Sequence, residues 1–292
     1  EDYYATKDRA ERLKQKSREL YKAVHNLYER AVRKQSARRE ELAQSEKADT
    51  LRLYGELLQA NQWAIQKGDR QATVQNYYTG ENVTIRLDPR LGPNENAQKY
   101  FDKYGKMKRT AEALNELILE TKGQIDHLES IQNSLDIALS ADDLVQIKDE
   151  LIEYGFIKKG KGSKKQKVKS KPFHYISSDG FDMYVGKNNY QNDELTFKLA
   201  TGNDWWFHAK GMPGSHVIVK AENKELPDST FEEAGKLAGY YSKGKNADKV
   251  EIDYLQKKNV KKPNGAAAGF VVYYTNYSLT IHPDISDIRQ IE

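Results

Sequence analysis

The clearest hydrophobic pattern in the chain runs from Ala97 to about Ala138. Apolar or small residues recur there in alternating steps of four and three positions, and Gln132 is the one polar interruption. The repeat comprises Tyr100, Tyr104, Met107, Ala111, Leu114, Ile118, Thr121, Ile125, Leu128 and Leu135. A spacing of about 3.5 residues sustained over this length is typical of a coiled-coil seam.

An earlier segment has the same spacing, at Leu20, Val24, Leu27 and Ala31, among charged neighbours. Two long helices that each carry a narrow apolar stripe bury it by packing together, which predicts an antiparallel helical hairpin. The same repeats would also allow pairing between two copies of the chain. A homodimer through the coiled coil is therefore an alternative.

The connection between these helices, at about residues 62–96, has a different pattern. Short β-type runs at 72–74 and 83–85 flank a turn-rich segment, and a proline-containing break at 87–94 precedes the second helix. After that helix, Ser140 and the acidic residues that follow it predict the start of a short closing helix, which ends at Gly155.

From Pro172 onward, short apolar runs predict strands. The runs are Tyr175–Ile176, Phe181–Val185, Leu195–Leu199, Trp205–His208, His216–Val219 and Phe270–Tyr274. One amphipathic helix interrupts them, with Asp228 or Ser229 as its N-cap. The predicted fold class is α+β: a long antiparallel coiled-coil hairpin followed by a strand-rich α+β domain with an inserted helix.

This pattern predicts that the chain is divided into three regions. Residues 1–157 would form the coiled-coil hairpin with its small β-containing tip and closing helix. Residues 158–171 would form a lysine-rich linker, and residues 172–292 would form the α+β domain.

The linker changes how the charge is interpreted. The chain has a formal net charge of +4, and the linker carries no acidic residue. Its lysines are Lys158, Lys159, Lys161, Lys164, Lys165, Lys167, Lys169 and Lys171. A run of like charges repels itself until a polyanion neutralises it, which favours contact with RNA. A solvated linker without a ligand is the alternative.

Two segments concentrate candidate binding chemistry. Residues 204–217 contain two of the three tryptophans and two histidines, and residues 186–193 are dense in amides. Aromatic faces beside amides and cations suit stacking on bases and holding phosphates. A Trp-rich β-core with a polar rim is the alternative. Period-two alternation places Trp205 and Phe207 on one strand face and Trp206 and His208 on the other, so only one pair is expected in the core.

Other chemistries find less support in the sequence. The grouping of Asp204, His208 and His216 lacks typical metal-ligand spacing, and Ser215 beside His216 lacks a nucleophile elbow. We therefore predict no catalytic centre, metal site or cofactor. The absence of cysteine is compatible with the cytoplasm, and no apolar run is long enough to insert into a membrane. Four lysines before the small-residue loop 263–269 suggest a phosphate contact or a solvated hairpin tip.

Several motifs together resemble the NFACT family. Residues 186–193, 204–208 and 213–217 resemble its C-terminal NFACT-R domain, and residues 87–101 resemble its coiled-coil region. Residues 238–242 and 262–269 also fit, so the resemblance extends over essentially the whole chain. The chain begins at Glu1 rather than at a methionine, which suggests a piece of a longer protein without the family's NFACT-N domain.

The resemblance implies an RNA-binding factor of ribosome quality control, with the large ribosomal subunit and tRNA as partners and alanine tailing of stalled nascent chains as the process. An older family name implies a surface adhesin that binds fibronectin instead. On the first interpretation, with Trp206 expected to stack on a base, the RNA contacts are Lys187, Asn188, Asn189, Trp206, His208, Lys210, His216, Lys261 and Lys262.

Overall fold

The first half of the chain is mostly helical. In this computed structural model, which describes residues 2–45, 47–160 and 170–291, the first half contains four α-helices and one hairpin. They are α1 (Asp2–Ser45), α2 (Ala48–Ala60), β1 (Gln71–Gln75), β2 (Asn82–Arg86), α3 (Pro93–Ile137) and α4 (Ala141–Glu153). The chain folds as two compact units, one of residues 1–29 and 125–292 and one of residues 30–124.

Helices α1 and α3 of one chain pair in antiparallel fashion, as their apolar repeats predict. The Arg38 guanidinium donates to the Leu117 carbonyl oxygen at 2.7 Å, whereas the Tyr28 hydroxyl donates to Glu129 at 3.2 Å, so residue numbers rise along α1 as they fall along α3. Val24 of α1 and Leu114 of α3 are buried positions of the predicted stripes. The seam therefore forms within the chain.

Unit 30–124 has its own small core around the β1–β2 hairpin. The strands pair in antiparallel register, with Thr73 opposite Thr84. Leu57, Leu58 and Ile85 are fully buried, and they pack with residues from α2, β1, β2 and α3. The predicted hairpin between the two long helices is thus present, and α2 provides the helical surface that covers it.

The second half is strand-rich, which confirms the α+β fold class. Its elements are β3 (Phe173–Ile176), β4 (Asp182–Val185), α5 (Asn189–Glu194), a π-helical turn (Leu195–Leu199), β5 (Trp205–Ala209), β6 (Val217–Val219), α6 (Asp228–Tyr240), β7 (Val250–Gln256), β8 (Tyr277–Ile281) and β9 (Arg289–Gln290). Seven strands form an antiparallel sheet in the order β8-β7-β5-β6-β4-β3-β9.

Two predicted strands are wrong. Leu195–Leu199 continues helically from α5, and its first two residues are buried, with Leu195 packed in the same core as Trp206. Phe270–Tyr274 forms only a single bridge, between Val272 and Lys261, and Phe270 is about half exposed. The sheet instead uses β7 and β8, which the apolar runs did not indicate because charged and polar residues alternate with their buried ones.

The closing helix α4 begins with the predicted cap. The Ser140 hydroxyl accepts a hydrogen bond from the Asp143 backbone N–H, and the Asp143 carboxylate accepts one from the Ser140 backbone N–H, which completes a capping box. Gly155 then adopts a positive φ of 73°, a conformation that favours glycine at a helix end. Within the described ranges, no helix has the length and apolar character needed to cross a bilayer.

Two glycines in helices generate opposite stability predictions. A methyl group added at Gly239 in α6 would lie 2.6 Å from the Ile281 side chain, whereas one added at Gly123 in α3 would meet no described atom within 4 Å. We expect Gly239→Ala to lower the free energy of unfolding by about 1–3 kcal/mol through overpacking. We expect Gly123→Ala to raise it by about 0.5–1 kcal/mol because alanine favours the helix. Urea denaturation of both variants measures the difference, and equal shifts would contradict the packing of α6 on β8.

Candidate nucleic-acid interface

Strand β5 carries the predicted aromatic segment and lies inside the sheet, between β6 and β7. Phe207 packs in a core that includes Ala234 and Leu237 of α6. Trp206 packs in a second core that includes Leu195 and Val260. The expectation that only one face of this strand is core is wrong, because separate layers cover the two faces.

Trp206 is an interior residue of this second core. It is 1% exposed, and its ring lies 5.0 Å from the His216 ring and 5.3 Å from the Tyr273 ring, between centroids. Its indole N–H has no hydrogen-bond partner among the described residues. A base could not reach this ring without opening the sheet, so the placement disagrees with the predicted stacking role and agrees with the alternative of a Trp-rich core.

The two predicted histidine contacts lie beside Trp206 and share its apolar surroundings. His216 is buried, and its Nδ1 lies 2.8 Å from the Thr196 hydroxyl. Burial lowers the pKa of His208 to about 4. Burial, and then the neighbouring His208, lower the pKa of His216. Both rings are therefore neutral at pH 7 and act as polar packing groups rather than as cations.

Asp204 precedes the strand and organises a turn. Its carboxylate accepts hydrogen bonds from the backbone N–H groups of Thr201 and Ala221 and from the Lys220 ammonium. Burial opposes ionisation, but these donors outweigh it and lower the pKa of Asp204. Across the described ranges, no group of three or more His, Cys, Asp or Glu residues is arranged to hold a metal ion.

The amide-rich segment at residues 186–193 also lies in the interior. Asn188 caps α5, because its side-chain oxygen accepts from the Gln191 backbone N–H, and its amide donates to Gln146. Asn189 donates to both Ser130 and Glu150, at 2.8 and 2.7 Å. These predicted RNA contacts connect α5 to α3 and α4 and are at most 4% exposed.

Glu150 is the centre of that network. It is fully buried, and its Oε1 lies 2.7 Å from both the His127 Nε2 and the Asn189 amide nitrogen. Lys187, another predicted RNA contact, lies over the Phe173 ring and 3.8 Å from Asp143. The polar density of this sequence segment therefore reflects buried connections between helices.

The small-residue loop at residues 263–269 is anchored to α5. Lys262 pairs with Asp193 at 2.8 Å and also donates to the Ala267 carbonyl oxygen. The Gly269 N–H donates a hydrogen bond to Asp193, and the Ala268 N–H donates one to the Tyr154 hydroxyl oxygen. These two backbone amides are therefore occupied, and neither the predicted phosphate contact nor a solvated hairpin tip describes this part of the loop.

The predicted lysines that the structure describes differ in exposure, and Lys187 and Lys262 are the two that are partly buried. Lys261 is exposed, and Lys210 is exposed but paired with Glu251 at 2.5 Å. In the linker, Lys158, Lys159 and Lys171 are exposed. The remaining predicted linker contacts lie outside the described residues, namely Lys161, Lys164, Lys165, Lys167 and Lys169.

The sequence interpretation missed an aromatic group on the α6 side of the sheet. The registers place Phe207 opposite Tyr254, and Tyr254 opposite Tyr277, across β5, β7 and β8. Tyr254 and Tyr277 stack with ring centroids 5.5 Å apart, and the Trp205 ring lies 6.3 Å from the Tyr277 ring. Tyr277 is 63% exposed and Trp205 is half-buried. The alternation in residues 250–256 could have revealed the middle strand of this row.

The chain is similar to known proteins over nearly its whole length. A protein named "Rqc2 homolog RqcH" from Streptococcus pneumoniae is 38% identical over 291 residues, which are 99% of this chain and 52% of the relative. A protein of the same name from Bacillus subtilis is 38% identical over 295 residues, which are 99% of this chain and 51% of the relative. The chain thus spans about half the length of these relatives.

A solved structure has the same fold over most of the chain. The C-terminal part of the fibronectin/fibrinogen-binding protein from Streptococcus suis superposes with a TM-score of 0.76 and 35% identity. The match covers 95% of this chain and 99% of that chain. It includes both the helical and the strand-rich halves.

Two family descriptions divide the sequence between them. Residues 1–171 match the NFACT N-terminal and middle domains, and residues 171–274 match the NFACT protein RNA binding domain. The first match alone covers more than half of the chain. The chain therefore belongs to the NFACT family.

Proposed function

We propose that this chain is the RNA-binding portion of a ribosome-associated quality control factor. It would engage obstructed large ribosomal subunits and tRNA and support C-terminal alanine tailing of stalled nascent chains. The observation that carries the proposal is the similarity of 99% of the chain to proteins named as RqcH, together with the match of residues 171–274 to an RNA-binding domain. A ribosomal partner implies a cytoplasmic location.

In this proposal the chain binds and positions RNA, and the covalent chemistry of tailing lies elsewhere. The structure supports that division through the residues that the sequence singled out. Asp204 organises a turn, His216 is buried, and His208 is half-buried beside the Trp206 ring. Both histidines are neutral near pH 7. The exposed cations Lys158, Lys159 and Lys261 are available for phosphates.

Fibronectin binding is the second candidate. The observation that favours it is the name of the structurally similar Streptococcus suis protein. A lysine-rich segment can attract an acidic extracellular protein as well as RNA, so charge alone does not separate the two functions.

A binding prediction compares the proposed partners. Purified large ribosomal subunits, tRNA and fibronectin would be immobilised separately and titrated with the chain at near-physiological salt. We expect saturable binding to the subunit and to tRNA, and only weak, salt-sensitive retention on fibronectin. Tight fibronectin binding without affinity for either RNA partner would replace the ribosomal function with the adhesin function.

The lysine-rich linker gives a charge-based prediction. Replacing Lys158, Lys159, Lys164 and Lys165 by Gln should weaken tRNA binding and reduce the slope of log affinity against log salt, because each neutralised phosphate contributes about 0.7–0.9 to that slope. The measurement is binding by fluorescence anisotropy across a salt series.

The matched control removes the same charge elsewhere. Lys14, Lys16, Lys22 and Lys34 are exposed on α1 and would be replaced by Gln together. This control should leave the salt slope nearly unchanged. Equal slopes for the linker and α1 variants would mean that the linker makes no specific contribution.

The lowered histidine pKa values give a pH prediction. Because the neutral forms of His208 and His216 are favoured in the folded chain, their ring signals in an NMR titration should stay constant from about pH 8 to about pH 6. Folding stability should fall as the pH drops from about 6.5 towards 4, because the unfolded histidines bind protons first. Titration of His208 near pH 6.5 would contradict the lowered pKa of this half-buried ring.

A further inference from the structure

A cleft opens beside Trp205, on the same side of the sheet as the aromatic row of β5, β7 and β8. Its volume is about 490 Å³, and Trp205 and Tyr277 both line it. The other lining residues are Leu255, Gln256, Asn259, Thr275 and Asn276. No charged side chain lines it within the described part of the chain. A volume of this order lies in the range of about 300–1,000 Å³ that small-molecule sites occupy.

Strand register explains how these residues come together. Trp205 of β5 lies opposite Gln256 at the end of β7, and Tyr254 of β7 lies opposite Tyr277 at the start of β8. A 3₁₀ turn at Lys257–Asn259 follows β7 directly and brings Asn259 to the cleft. The aromatic residues are thus on paired strands, and their positions do not depend on a ligand.

The amides of the cleft are available for hydrogen bonding. Among the described residues, the side chains of Gln256 and Asn259 make no hydrogen bond, so each offers both a donor and an acceptor. The Asn276 amide nitrogen donates to Asp253 at 2.8 Å, which fixes the amide and leaves its oxygen as an acceptor. Asp253 is buried and also accepts from Tyr273 and Ser278, so this orientation is well supported.

We propose that this cleft binds an unpaired nucleobase of single-stranded RNA, a proposal that rests on the RNA-binding function above. Aromatic faces stack on the flat ring, and neutral amides match the alternating donors and acceptors of a base edge. Lys258, in the adjoining turn, is exposed and makes no described side-chain interaction, so it is free to contact a backbone phosphate. The base-stacking residue of β5 is therefore Trp205 rather than Trp206.

A proline-rich peptide is a different ligand that also packs on aromatic residues beside amides. The uncharged lining next to an exposed lysine favours a nucleotide, because a base needs no compensating charge whereas its phosphate does. The match of residues 171–274 to an RNA-binding domain agrees with this choice.

The test uses the whole chain with its solvent-facing Trp63, which is 85% exposed, replaced by Phe. Tryptophan fluorescence then reports on Trp205 and the buried Trp206. Oligouridylate, oligoadenylate, a blunt-ended RNA duplex and a proline-rich peptide would be titrated separately, and tRNA affinity would be measured in parallel. We expect the two single strands to quench the fluorescence, and the duplex and the peptide to have little effect.

Two cleft variants and one control make the test specific. Tyr277→Ala combined with Asn259→Ala should weaken single-strand binding about ten-fold, because loss of one stacking contact costs about 1–3 kcal/mol. Trp205→Phe keeps an aromatic ring against Phe231 and should abolish the quench. Tyr274→Ala is the control, since Tyr274 is 83% exposed and does not line the cleft. Thermal denaturation confirms that each variant is folded.

The outcomes separate this inference from the function on which it rests. If the parent chain binds tRNA and single strands, and the cleft variants bind equally well, the base cleft is overturned while RNA binding stands. If the parent chain binds neither tRNA nor single strands, the proposed function itself fails. Quenching by the peptide but not by RNA would assign the cleft to a protein partner and would also overturn the proposal.

Discussion

A buried carboxylate is the interaction on which the arrangement of unit 1–29 and 125–292 depends. Glu150 of α4 contacts His127 of α3 and Asn189 of α5 through one oxygen, whereas its second oxygen has no hydrogen-bond partner among the described residues. A buried polar group is costly unless it is hydrogen-bonded, so the three helical segments must keep these positions together. Through Asn189, the first residue of α5, Glu150 connects the start of that helix to α3 and α4.

The position of α5 in turn determines that of the second core. The Asn192 side-chain oxygen accepts a hydrogen bond from the backbone N–H of His216, the residue before β6. The Asp193 carboxylate accepts hydrogen bonds from the Gly269 N–H and the Lys262 ammonium. Gly186 and Gly269 pass so close to asparagine side chains that an added methyl group would lie 2.1 and 2.5 Å from the amide oxygens. Buried polar contacts thus run from α4 through α5 to β6, and apart from the second Glu150 oxygen the groups named here find their partners within the chain, as buried polar groups generally do.

The sequence predicts most of the fold because its strongest patterns are local. The heptad positions, the Ser140–Asp143 cap and the turn between β1 and β2 each specify their structure within a few residues. Leu195–Leu199 is different, because a short apolar run fits a buried helix as well as a strand, and contacts with distant residues decide between them. The candidate site was harder to predict for the same reason. Asn188, Asn189 and His216 are suitable for binding RNA, but only the tertiary structure shows that other parts of the chain already use them. The division into residues 1–157, 158–171 and 172–292 stays a prediction.

Strand β5 has neighbours on both edges and covering layers on both faces. The hydrogens of its backbone amides can therefore exchange with solvent only when the sheet opens, so we expect their exchange to be among the slowest in the molecule. Trp205 is attached to this strand, and Gln256 lies opposite it on β7. A ligand held between such residues does not have to order a loop first, so more of the contact energy is retained as affinity. The interior location of the aromatic motif is thus compatible with recognition, since it gives the half-buried Trp205 ring a rigid support.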